Sequence, residues 1–174
     1  MTFAHLTGGG GLFDGLAHPV FGIDHLIAIV VVGTLAYLLR DRLAWYTLPA
    51  TFVGAMALGG TLGVLGVTTG STELFVALSV VLLGVVLLAL TGVVEARVLA
   101  GLVALAALFH GLAHGGEVPG TASPALYVMG FLLATAGLHL AGVALGPVVA
   151  RSRIVRVLAG TGVVAAGLVL VSGV

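Results

Sequence analysis

Two short stretches of this chain gather most of the side chains that can hold a metal ion. His18, Asp24 and His25 lie within His18-Pro19-Val20-Phe21-Gly22-Ile23-Asp24-His25. His110, His114 and Glu117 lie within Phe109-His110-Gly111-Leu112-Ala113-His114-Gly115-Gly116-Glu117. Both stretches adjoin apolar runs, where an ionisable residue costs about 2.5–3.5 kcal/mol on insertion scales, so this density of imidazole and carboxylate asks for a reason beyond packing. The chain has no cysteine, which removes disulfides, thiolate metal sites and Cys nucleophiles together. A metal site must then use nitrogen and oxygen donors, a set that suits divalent nickel, cobalt, zinc or copper. His110 and His114 are four residues apart and Glu117 is three further on, so a continuing helix puts all three on one face. Asp24 and Glu117 can bind an ion directly, or can hold an imidazole N–H and fix which ring nitrogen faces it. Pro19 disfavours helix at His18 and Gly22 loosens the next turn, so His18 is expected to fold back toward Asp24 and His25.

The elements that must position these residues follow from composition. Of 174 residues, 60% are hydrophobic and 7% charged, with a mean hydropathy of +1.31, too few charges to cover a soluble domain. The expected fold class is all-α, an integral membrane bundle. Net charge is zero, and no basic patch exists to hold nucleic acid. Charges and prolines divide the apolar sequence into six windows near the roughly 20 residues that a spanning helix needs: Gly22–Leu39, Trp45–Val67, Glu73–Thr91, Val98–Gly115, Pro124–Val149 and Ile154–Ser172. The expected organisation is a single six-helix transmembrane domain over residues 18–174, behind a short external segment at residues 1–17. That segment has no Lys or Arg and is broken by Gly8-Gly9-Gly10-Gly11, so a signal peptide is not expected. Short connections predict consecutive helices as antiparallel neighbours.

All six arginines fall at three joints: Arg40 and Arg42, then Arg97, then Arg151, Arg153 and Arg156. The positive-inside rule makes those joints cytoplasmic and both termini external. Both metal-binding stretches then lie at the outer ends of their helices. The first and last three helices have opposite orientation, which permits an inverted 3+3 repeat. Gly59, Gly63, Gly66 and Gly70 make a small-residue face on the second helix, read as packing inside the monomer, with a homo-oligomer through Gly-rich faces as the competing expectation.

Other polar residues carry narrower expectations. His139 lies about 15 residues, or roughly 22 Å, below the outer end of the fifth helix, too deep for the outer site. It is either a second station on an inward path, with Thr135 one turn above, or a buried interhelical hydrogen bond. Glu73 opens the third helix, where a carboxylate caps the N-terminus, with outer-site participation as the alternative. Ser79 is expected to bond its own backbone.

The His18-x5-Asp24-His25 pattern, the segment FHGLAHGGE at Phe109–Glu117 and the fifth-helix stretch GFLLATAGLH together resemble the HupE/UreJ family of membrane proteins, associated with nickel supply to hydrogenase and urease. The resemblance spans nearly everything from His18 onward. It implies a multi-pass nickel or cobalt permease of the cytoplasmic membrane rather than an enzyme. His18, Asp24, His25, His110, His114 and Glu117 would be its functional residues, and His139 and Glu73 match less decisively. The partners it implies are a divalent metal ion and membrane lipid, with no resident cofactor. The chain departs from many members in the expected lack of a signal peptide. Two other classes stay open: a zinc-dependent membrane hydrolase with Glu117 or Asp24 as general base, and a non-transporting protein that binds metal or haem.

Overall fold

In the computed structural model, residues 11–67, 70–89, 95–115 and 123–174 are described, and among them every regular element is helical. The order is α1 (Leu12–Phe21), α2 (Ile23–Leu38), α3 (Thr47–Val64), α4 (Thr72–Ala89), α5 (Ala96–Gly115), α6 (Pro124–Arg151) and α7 (Arg153–Ser172). Helix is the form that satisfies every backbone group within its own segment, which apolar runs of this length require when water is excluded. Five helices, α3 to α7, are long and apolar enough to cross a membrane, and α1 with α2 would make a sixth as one broken span.

The break lies at Gly22, not at His18. Helix α1 runs through Pro19 to Phe21, and Gly22 then adopts an extended conformation (φ −73°, ψ 104°), so that α2 leaves at 79° to α1. Pro19 costs the helix only the donor to the Gly15 carbonyl, and the helix stops two residues later, which is why proline is tolerated there. Leu12–Ala17, part of the expected N-terminal segment, are thus helical and packed against α6.

The main seams do not join consecutive helices, as the short connections had predicted. They join α2 to α6, α3 to α5 and α4 to α7. Glycine placement is the reason. A Cβ on Gly33 would strike the His139 carbonyl, and one on Gly142 the Val30 carbonyl. A Cβ on Gly111 would strike the Met56 carbonyl, and one on Gly59 the Leu108 carbonyl. Between α4 and α7, a Cβ on Gly84 would stand 2.7 Å from the Val164 nitrogen, and one on Gly167 would stand 2.7 Å from the Val81 nitrogen. Only bare backbone fits at these crossings, and backbones this close gain dispersion along their whole length. Thr34 adds a polar link, its hydroxyl lying 3.1 Å from the Gly142 carbonyl and 2.9 Å from its own Val30 carbonyl. Gly59 and Gly63 pack inside the chain against α5, but the expected four-glycine face stops there: α3 ends at Val64, so Gly66 (φ 85°) and Gly70 lie in turns beyond it, with nothing within 4 Å of an added Cβ.

The core that these seams enclose is apolar and fully buried at Ile29, Val32, Leu35, Leu48, Phe52, Leu99 and Val103. Gly111→Val should separate α3 from α5 and cost about 1–3 kcal/mol or more by overpacking. Thermal unfolding in detergent checks this, with Gly101→Ala, which meets nothing within 4 Å, as a variant expected to unfold like the parent.

Candidate metal centre

The break at Gly22 puts His18, in the last turn of α1, over Asp24 and His25 in the first turn of α2. A Cβ on Gly22 would sit 3.2 Å from Asp24 Oδ1 and 3.4 Å from His25 Nδ1, so the turn and the donor atoms share one small space. Helix α5 supplies His110 and His114 from its last two turns, where the negative end of the helix dipole favours a cation. Two stretches 85 residues apart in sequence (His25 and His110) thereby meet at one end of the bundle. Ring centroids are 4.4 Å apart for His25 and His114, 4.9 Å for His18 and His114, 5.0 Å for His25 and His110, and 5.5 Å for His18 and His25.

Two sets of three residues each offer donor atoms that all lie within 4.8 Å of one another: His18, His25 and His114, and Asp24, His25 and His110. His25 belongs to both. Ligands about 2.1 Å from an ion stand closer together than that, so modest side-chain rotation closes either set. Exposure falls along the sequence of donors. The side chains of His114 and Asp24 are 20% and 19% exposed, while His25 and His110 are fully enclosed.

Hydrogen bonding decides which nitrogens face the ion. The His110 ring lies with Nδ1 2.9 Å from the Ala106 carbonyl. A carbonyl only accepts, so Nδ1 carries the proton and Nε2 keeps its lone pair. Asp24 Oδ1 lies 3.4 Å from His25 Nδ1 and does the same for His25, the carboxylate-to-imidazole arrangement that orients metal-binding histidines. Asp24 Oδ2 is 4.0 Å from His114 Nε2. The Nε2 atoms of His25 and His110 are buried with no hydrogen-bond partner among the described residues. Leaving such atoms unpaired costs about 1–3 kcal/mol each, a cost that a bound cation removes.

The remaining sequence-singled residues divide as follows. His139 on α6 is 3% exposed, with Nδ1 3.0 Å from the Thr135 carbonyl, and belongs to neither donor set. Glu73 is exposed in the first turn of α4 and also belongs to neither set. Ser79 donates to the Val76 carbonyl at 2.7 Å, as expected. Glu117 lies outside the described residues. His18 stands within 10 Å of both His25 and His114, so the expected fold-back is present although its hinge is one turn later.

The sequence reading missed the aromatic wall. Phe131 packs its ring 5.8 Å from His18 and 6.1 Å from His25, and Tyr127 lies 6.1 Å from His18. Phe52 touches both His110 (6.0 Å) and His139 (5.4 Å). Phe131 lies inside the stretch GFLLATAGLH, which gives it a signal. Phe52 lies in an unbroken apolar run and has none.

Comparison with known proteins supplies the family. Residues 1–170 match the profile of the family described as HupE / UreJ protein. The chain is 40% identical over 171 residues to Protein HupE of Rhizobium leguminosarum bv. viciae, covering 94% of this chain and 85% of that protein. No solved structure matches it.

Because His25 serves both donor sets, His25→Ala should weaken nickel or cobalt binding about 100-fold, and His18→Ala or His110→Ala about 10-fold. Calorimetric titration of the purified protein measures this, and Glu73→Gln should bind like the parent.

Proposed function

Because this chain belongs to the HupE/UreJ family, we propose that it carries a divalent transition-metal ion, nickel or cobalt, inward across the cytoplasmic membrane through the histidine–aspartate cluster. The observation that carries this reading is the sharing of His25 by two donor sets that differ in burial. An ion entering among His18, His25 and His114 exchanges His18 and His114 for Asp24 and His110 while His25 holds on. Each step swaps ligands without releasing the ion to hydrocarbon. Transport asks for such incomplete, overlapping sets, since a closed cage would retain its ion. His139 is the next station inward, with its Nδ1 proton held by the Thr135 carbonyl and its buried Nε2 left for the ion.

The broken α1–α2 pair counts as the first of six spans, and both termini are external. The six arginines support this orientation, because they cluster at the end of α2, the start of α5 and the α6–α7 joint, opposite the histidine cluster. An inverted repeat relates α2, α3 and α4 to α5, α6 and α7. Its support is in the seams: Gly33 and Val30 meet His139 and Gly142 as Gly111 and Leu108 meet Met56 and Gly59, and the Gly84 and Gly167 crossings mirror each other. The sequence holds no Walker glycine loop, so the membrane potential is the simplest drive, about 4.6 kcal/mol per 100 mV for a divalent ion.

Proteoliposomes given radiolabelled nickel test the reading. Uptake should rise with an interior-negative potential, and His25→Ala or His114→Ala should reduce it to the level of empty liposomes. Uptake that survives both substitutions removes the site assignment.

A further inference from the structure

Between the histidine cluster and His139 lies one ring. Phe52, on the first turns of α3, is fully buried and lies 6.0 Å from the His110 ring and 5.4 Å from the His139 ring. Among the described residues no ring contact joins His139 directly to His18, His25, His110 or His114. On either side of Phe52 stand buried ring nitrogens without hydrogen-bond partners among the described residues: His110 Nε2 on one side and His139 Nε2 on the other. Ordinary core packing either pairs such atoms or replaces them with apolar groups. Here an apolar ring keeps two such nitrogens apart. Beyond them, toward the arginine-bearing ends, Val32, Leu35, Leu48, Leu99 and Val103 close the core.

We propose that Phe52 is the gate residue that separates the outer histidine cluster from an inner station at His139. The proposal rests on the transport reading and deepens it. In the position described, the ring fills the step between the two stations and excludes water, as apolar constrictions do in other pores. Rotation of the ring aside joins the His110 and His139 Nε2 atoms through one continuous polar path. In transit the ion faces the ring's π system, which attracts a partly dehydrated cation without binding it as a ligand would. The gate thus sets how fast the ion moves inward and leaves capture at the outer cluster unaffected.

The absence of native cysteine allows a direct test. Val143→Cys, one turn inward of His139 on α6, is made with Phe52 intact and with Phe52→Ala, Phe52→Leu or Phe52→Trp, and intact cells are treated with an externally added, membrane-impermeant methanethiosulfonate. Labelling should be about 10-fold faster with Phe52→Ala or Phe52→Leu and slower with Phe52→Trp, while Phe52→Trp lowers nickel uptake about 10-fold. A Tyr127→Cys control, above the gate, should label equally in every background. If Phe52→Ala disturbs that control, Phe52→Leu carries the comparison. Equal labelling at residue 143 in all backgrounds with an intact control overturns the gate. Gated labelling without nickel uptake by the parent protein leaves the gate standing and sinks the transport reading instead.

Discussion

Every other feature of the site depends on how its buried imidazoles satisfy one ring nitrogen and leave the other without a partner among the described residues. His110 and His139 each direct Nδ1 at the carbonyl four residues earlier on their own helix, and His25 directs Nδ1 at Asp24. The helix itself therefore supplies the first partner, at no cost in extra polar residues. A helix can do this wherever a histidine faces inward, because its i−4 carbonyl is always within reach. The remaining Nε2 atoms have no hydrogen-bond partner among the described residues, a deficit that a bound divalent ion would repair.

Close helix approach converts these separate imidazoles into a site. Glycine crossings pull α5 against α3 and α6 against α2, so His110 and His114 reach the start of α2, and Phe131 on α6 packs against His18 and His25. The same crossings explain why helices distant in sequence, not consecutive ones, share the principal seams. The site is thus a consequence of small residues placed far from it. The bend at Gly22 adds the one element that the seams do not, an α1 turned 79° so that His18 overhangs the cluster.

Much of this was legible in the sequence, for identifiable reasons. The windows around the apolar runs agree with α2 to α7 because hydrocarbon length and charge placement are strong one-dimensional signals. The convergence of the two histidine stretches was legible too, since alternating arginine joints assign both to the same end. Helix α1 was not, because its ten residues include Pro19 and follow a glycine run, features that argue against helix locally. Its stability comes from packing Gly15 against the Tyr127 carbonyl, a tertiary contact with no local trace. Phe52 was illegible for another reason: an aromatic in an apolar run has no distinguishing spacing, and only its two histidine neighbours mark it.

The central claim is that His18, Asp24, His25, His110 and His114 form overlapping coordination sets for a transition-metal ion. X-ray absorption of the purified protein loaded with one equivalent of nickel or cobalt addresses it most directly. The account predicts two to three imidazole nitrogens at about 2.0–2.1 Å, visible by their outer-shell ring scattering, and loss of that scattering in His25→Ala. An ion surrounded only by oxygen, or an imidazole signal unchanged in His25→Ala, would contradict it.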